Sequence, residues 1–453
     1  MFRKLLVANR GEIAVRVVRA CRDLGISTVA VYSEADANTL AVELADETVC
    51  IGPADSRASY LSIPAIIEAA LKTGSDAIHP GYGFLAEDSD FAEVCAENGI
   101  TFVGPPPEVM EEVADKAAVR AIMQEAGLEI LPGSIGTVPS VRDAEEIASS
   151  IGMPVVVKAS AGGGGRGISV VREHADLPTI FRTTRQTAQL LFKDSSVYVE
   201  RYLNSARHVE VQVLCDGRGG AVHLGERDCS VQRRNQKLIE ESPSPALDTA
   251  SRERITELAL RGAKAVDFQG AGTMEFIVDD DGRAYFMEIN PRIQVEHPVS
   301  EAVTGIDVVR EQILVASGAP LSFAQGDVVL RGHAIECRVN AEDPEHNFRP
   351  ATGHLEQFRL PGGPGVRVDT HCSAGMPVSP HYDSLLAKLI CWGEDREAAL
   401  RRSRAALSEF LVRGAGVRTT IPFLREVLDT TAFRDGRATT GLVEEMMASA
   451  VAP

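Results

Sequence analysis

Short apolar runs alternate with helix-spaced segments over roughly the first 110 residues. Residues 4–8, 28–32, 48–51, 77–78 and 100–103 read as strands. Between them, residues 12–24 place Ile13, Val17, Ala20 and Leu24 on one helical stripe, and residues 63–71 carry a similar apolar face. Strand and helix in alternation predict a doubly wound α/β sheet. Pro105, Pro106 and Pro107 interrupt the pattern, a helical stretch follows over 108–126, and a glycine-rich, strand-rich unit begins near 131–133. A third unit is expected from about residue 204.

Within the second unit, residues 154–171 set two β-branched runs on either side of four consecutive glycines. This predicts a hairpin whose glycines let backbone N–H groups approach a phosphate chain. A P-loop or a dinucleotide fingerprint would run from a strand into a helix, and neither spacing is present. A kinase glycine loop is a hairpin too, but its lysine follows the loop, whereas Lys158 precedes this one. A plain surface turn is the competing reading.

Residues 272–290 predict a second hairpin, turning at 280–282. Period-two alternation puts Met274, Phe276 and Val278 on one face with Tyr285, Met287 and Ile289, and leaves Glu275, Glu288 and Asn290 on the other. Like charges on one sheet face repel, so the pattern makes sense around hard cations, and all-oxygen donors suit Mg²⁺ or Mn²⁺. Scattered acids on a solvated face would look the same. An extended continuation over 291–297 would aim Arg292, Gln294 and Glu296 one way, a set suited to a small planar oxyanion with a carboxylate as base. A salt-bridged structural strand remains equally open.

Composition narrows the field. The 453 residues, 44% apolar, can bury a large core and point to about three domains. With 46 basic against 64 acidic residues the net charge is −18, which argues against nucleic acid or anionic membrane as partner. No apolar run approaches the roughly 18 residues of a membrane span. Eight cysteines, at 21, 50, 95, 215, 229, 337, 372 and 391, form no CxxC pair, so a reduced, cytoplasmic setting is expected.

Taken together, residues 9–13 (NRGEI), 79–84 (HPGYGF), the 158–167 loop, 227–230 (RDCS), 232–237 and 290–297 closely resemble biotin carboxylase, and the resemblance runs from end to end. It implies an ATP-grasp fold: an N-terminal pre-ATP-grasp, Rossmann-like domain over 1–112, an ATP-grasp domain over 113–334 with a mobile lid at 131–203, and a C-terminal α+β domain over 335–446. It further implies that Lys116, Lys158 and the loop glycines Gly163, Gly164, Gly165 and Gly167 contact ATP phosphates. Glu200, Tyr202 and Leu203 would hold the adenine end, with His208, Gln232 and Asn235 bordering the nucleotide. Glu275, Glu288 and Asn290 would hold magnesium or manganese. Lys237, Arg292, Gln294 and Val295 would surround bicarbonate, Glu296 would deprotonate it, and Arg338 would stabilise the enolate-like form of biotin.

Asn235 stands where many members carry histidine, and Ala161 replaces a first glycine. Residues 361–369 look more like propionyl- or methylcrotonyl-type subunits, and Pro364 and Arg367, with Arg16 and Arg19, fall near the family's self-association surface, so a homo-oligomer is expected. No Ala-Met-Lys-Met biotin attachment motif occurs. The biotin carrier and the carboxyltransferase of an acetyl- or acyl-CoA carboxylase are therefore expected on other chains. Another ATP-grasp ligase, joining a carboxylate to an amine, and a nucleotide-sensing scaffold are the alternatives.

Overall fold

The computed structural model describes residues 1–161 and 166–451, without the side chains of the last two. Gly163, Gly164 and Gly165 thus lie outside the described residues. Five parallel strands, β1 (Lys4–Val7), β2 (Ser27–Ser33), β3 (Glu47–Gly52), β4 (Ala77–His79) and β5 (Thr101–Phe102), form a sheet in the order β3-β2-β1-β4-β5. Helices α1 (Gly11–Asp23), α2 (Leu40–Leu44), α3 (Ile63–Thr73) and α4 (Ser89–Glu97) supply the crossovers. Strand order reverses between β1 and β4, and such a switch point opens a crevice at the carboxyl ends of the strands. The loops leaving both strands meet there, where Asn9 Nδ2 donates to the carbonyls of Pro80 at 2.7 Å and Tyr82 at 2.8 Å.

The expected helix over 108–126 is in fact two, α5 (Pro107–Ala114) and α6 (Lys116–Glu125). Asp115 leaves the helical region at ψ 93° and caps the second, its Oδ1 accepting from Ala117 N at 3.0 Å and Ala118 N at 3.2 Å. Periodicity alone reads through such a break, because both helices keep their apolar stripe.

The next unit packs α7 (Val141–Ile151) and α8 (Leu177–Phe192) on a three-stranded antiparallel sheet of β6 (Val155–Ala159), β7 (Ile168–Val171) and β8 (Val197–Arg201). Val155, Val157, Val171, Val197 and Val199 meet Ala144, Ala148 and Phe181 in its core. β6 and β7 pair from Val155↔Val171 to Lys158↔Ile168, the hairpin predicted around the glycines.

An eight-stranded antiparallel sheet forms the rest of the scaffold. It contains β9 (Arg207–Asp216), β10 (Ala221–Arg233), β11 (Gln236–Ser242), β12 (Gln269–Val278), β13 (Ala284–Asn290) and β14 (His333–Asn340), followed by strands Val366–Thr370 and Leu385–Gly393. β14 pairs with β11, so strands on either side of residue 335 share one sheet. On β9, Val209, Val211 and Val213 enter the core with α9 (Thr249–Ala265), while His208, Glu210 and Gln212 point the other way. No helix among the described residues is long and apolar enough to cross a membrane.

Helix α10 (His297–Thr304) joins the units. Its Glu301, 7% exposed, accepts from Arg16 of α1 at 3.0 Å and from Arg367 of strand Val366–Thr370 at 2.7 Å. Burial opposes its ionisation, but the two guanidinium groups outweigh this and hold it below the ordinary carboxylate value of 4.5. Because the folded value is depressed, this stabilisation is present above pH 4.5 and is lost as pH falls. Glu301→Gln should therefore cost about 1–3 kcal/mol at neutral pH in urea unfolding, with the gap to wild type closing as the medium is acidified below the carboxylate range.

Candidate active site

β12 and β13 set Glu275 directly opposite Glu288, and Thr273 opposite Asn290. The three predicted polar residues do share a face, but the apolar face differs from expectation. The register shifts between Glu275 and Phe276, so that Phe276 pairs with Phe286. This bulge re-phases the strand: Phe286, at 1% exposure, joins Met274, Phe276, Val278 and Ile289 in the core, while Tyr285 and Met287 are only half-buried. Alternation counted from the sequence fails there because a bulge carries no composition signal.

The segment after β13 also departs from prediction. It is not extended through 297: Val295 and Glu296 turn, and α10 starts at His297. The turn still delivers Glu296, fully buried, to the same place as Lys237 of β11. Arg292 instead bonds Glu87 at 2.6 Å and the Ile293 carbonyl at 3.1 Å, with Asn290 Oδ1 at 3.5 Å.

Lys237 is the hub. Its Nζ donates to Glu210 Oε2 and Glu296 Oε1, each at 2.5 Å, and lies 3.4 Å from both Glu275 Oε1 and Gln294 Oε1. Glu275 also faces His208 Nε2 at 2.8 Å and accepts from Asn290 Nδ2 at 2.7 Å and Gln294 Nε2 at 2.9 Å. Arg227, fully buried, spans Glu210 at 2.7 Å, Gln212 at 2.8 Å and Ser300 and Thr273 at 3.1 Å. Arg338 Nε donates to Glu240 Oε1 at 2.6 Å, and its Nη2 to Glu296 Oε2 at 2.9 Å.

These neighbours decide the charge states. Burial alone would neutralise Glu296, but Lys237, Arg338 and Arg227 overcome it and hold the carboxyl well below its usual range. Glu275 is likewise lowered against burial, by Lys237 and His208. Burial works against the charged form of Lys237 as well, and the surrounding acids more than reverse it, keeping the ammonium charged. A buried carboxylate held ionised beside a fixed ammonium can accept a proton from a ligand without first shedding a water shell.

Around this hub stand the other predicted residues. Lys116, first in α6, pairs with Glu288. Lys158 of β6 pairs with Glu200 of β8, which is 2% exposed and also accepts from Arg120 at 2.6 Å. Gly167 has φ +72° and a Cβ there would lie 3.0 Å from that of Ala159, so the close return of the loop needs glycine. Tyr202 and Leu203 follow β8, half-buried, and Gln232 Nε2 lies 3.5 Å from the Cys229 carbonyl. Asn235 is exposed at the β10–β11 turn with φ 64°, next to Arg234 at 48°. Asparagine tolerates that left-handed backbone, which gives it a turn role of its own.

Several residues went unread in the sequence. Glu210 was detectable, since His208 to Val213 alternates strictly and places it beside His208. Glu240 was not, because the pairing slips between Val231 and Gln232 and the slip brings Lys237 and Glu240 to one face. Lys388, fully buried, donates to the Val295 carbonyl at 2.8 Å and pairs with Glu12 at 2.9 Å. Tyr82 Oη in turn donates to Glu12 at 2.5 Å. Beside them lies a cavity of about 290 Å³ walled by Arg10, Tyr82, Phe84, His371, Tyr382 and Asp383.

Residues 1–110 match the family model for the biotin carboxylase N-terminal domain, and residues 115–324 that for the ATP-binding domain of the carbamoyl-phosphate synthase L chain. Residues 336–445 match the biotin carboxylase C-terminal domain. Biotin carboxylase 1 of Bacillus subtilis is 53% identical over 445 residues, 98% of each chain. The biotin carboxylase domain dimer of Hydrogenobacter thermophilus 2-oxoglutarate carboxylase, solved with MgADP, ADP and bicarbonate, superposes with a TM-score of 0.95 at 48% identity, covering 99% of this chain and 98% of that one. The Campylobacter jejuni biotin carboxylase, solved as a β-γ-ATP complex, gives 0.96 at 44% identity over 98% and 99%. Three domain models in series and half-identical relatives of matching length leave one conclusion: this chain belongs to the biotin carboxylase family.

Proposed function

We propose that the chain uses ATP and bicarbonate to carboxylate biotin carried on a separate protein, yielding carboxybiotin, ADP and phosphate. The observation that carries this reading is the Lys237 hub, in which a buried, ionised Glu296 touches both Lys237 and Arg338. The bicarbonate and nucleotide of the H. thermophilus domain supply the ligand chemistry. In this reading Lys116 and Lys158 bind ATP phosphates, aided by the glycine loop. Glu200, Tyr202 and Leu203 flank the adenine, and His208, Gln232 and Asn235 border the nucleotide.

Glu275, Glu288 and Asn290 fit a hard divalent ion: the two carboxylates stand directly opposed across a strand pair and the Asn290 amide bonds Glu275, so all three can offer oxygen. Magnesium or manganese held there would offset charge on the phosphates. Lys237, Arg292, Gln294 and Val295 hold bicarbonate against Glu296, which takes its hydroxyl proton as a bicarbonate oxygen bonds to the γ-phosphorus and the bond to ADP breaks. The product, carboxyphosphate, divides into phosphate and carbon dioxide, which the deprotonated biotin nitrogen attacks. Arg338 holds the negative charge that develops on the ureido oxygen. Closure of the 131–203 lid over the site keeps water from the unstable intermediate.

The carrier and the carboxyltransferase are separate partners in this reading, and the chain self-associates through the surface near Arg16, Arg19, Pro364 and Arg367. The dimer of the H. thermophilus domain supports that association. All eight cysteines are free and seven of them buried, in keeping with a reducing cytoplasm.

ATP hydrolysis by the purified chain should rise when bicarbonate and free biotin are both added, and stimulation by an amine instead would overturn the reading. Arg338→Ala should lower biotin carboxylation by at least about 100-fold, measured as fixation of labelled bicarbonate. Lys237→Gln should remove bicarbonate-dependent hydrolysis as well, because it leaves three buried carboxylates without their shared cation.

A further inference from the structure

β11 and β14 bring Glu240 directly opposite Glu336, both fully buried. Among the described residues, neither carboxylate oxygen of Glu336 has a hydrogen-bond donor, and Glu240 has none on Oε2. Three cations face the pair. Arg338 sits two residues along β14, Lys237 acts on Glu240 from β11 but is taken up by Glu210 and Glu296, and Lys388 lies across from Arg338 on strand Leu385–Gly393, already engaged by Glu12 and the Val295 carbonyl. Glu296 adds a further negative charge on the other side of Arg338.

Two buried carboxylates beside one guanidinium do not both ionise. Glu240 accepts from Arg338, which favours its anion, while Glu336, with no donor, favours the protonated form. Burial with Glu240 as neighbour raises Glu336 well above its usual value, and burial pushes Glu240 up to about 7 although Arg338 resists.

We propose that Glu240 is a positioning residue that keeps Arg338 anchored while Glu296 lets it go, with a protonated Glu336 allowing Glu240 to remain anionic. The inference rests on the roles given above to Glu296 and Arg338. Arg338 spans the two acids: Nε and Nη2 both face Glu240 Oε1, and Nη2 also donates to Glu296 Oε2. When Glu296 takes the hydroxyl proton of bicarbonate, its carboxylate becomes a neutral carboxyl and its hold on Nη2 weakens. Glu240 is not titrated by that step and keeps Nε and its share of Nη2. The guanidinium then stays in place, with the Nη2 proton that Glu296 had accepted freed toward the ureido oxygen. Deprotonation of bicarbonate thereby sets the moment at which Arg338 becomes available to biotin.

Two rates of the full chain separate this from a merely structural role: bicarbonate-dependent ATP hydrolysis without biotin, and carboxylation of free biotin. Glu240→Gln should lower kcat/KM for biotin by about 10- to 100-fold. Its KM for bicarbonate and its biotin-independent rate should stay within about twofold of wild type. Glu336→Gln, which replaces a neutral carboxyl by a neutral amide, should stay within about threefold in both assays. Equal loss of both rates in Glu240→Gln, unchanged biotin carboxylation in it, or a loss in Glu336→Gln as large as in Glu240→Gln would each overturn the proposal. Should Glu240→Gln not fold by thermal unfolding, Glu240→Asp, which keeps the charge but falls short of Nε, is judged by the same criteria. A wild-type chain indifferent to bicarbonate would instead sink the parent reading.

Discussion

A single ammonium group, within 2.5 Å of two buried carboxylates and 3.4 Å of a third, constrains the catalytic half of this molecule. Without Lys237, Glu210 and Glu275 on the sheet and Glu296 in the turn above it would be three acids out of water at one point, an arrangement that only shared cations make tolerable. With it, Glu296 and Glu275 are both held ionised. The large antiparallel sheet exists to deliver these groups: β9 gives Glu210, β12 gives Glu275 and β11 gives Lys237.

The second consequence of that packing is redundancy of positive charge. Arg227 backs Glu210, and Arg338 backs both Glu296 and Glu240. Glu210 and Glu296 are thus each fastened by two cations, so neither rests on a single partner. Preorganisation of this kind is bought with buried charge and is stable only while every partner is present.

Much of the architecture was legible in the chain. Alternating runs gave the first sheet, since parallel strands buried on both faces read as continuous apolar segments. The glycine hairpin and the Glu275–Glu288–Asn290 face followed from period two. What stayed hidden was irregular: the shift after Glu275, the turn at Val295, the break at Asp115 and the slip that aligns Lys237 with Glu240. Each is a local change of phase, and each sits beside a site residue. The role of Arg338 came from resemblance, because its meeting with Glu296 joins a strand to a turn 42 residues away.

The salt link between Glu12 and Lys388 has a wider implication, because Lys388 also grips the carbonyl of Val295, the neighbour of Glu296. One atom from the first segment of the chain, one from the middle and one from the last converge at a point without solvent. Such a molecule resists evolution by exchange of parts: a foreign N-terminal or C-terminal segment, however well it folded, would leave a stranded charge next to Glu296. Change at this junction has to proceed by matched replacements on all sides, so lineages drift together there or not at all.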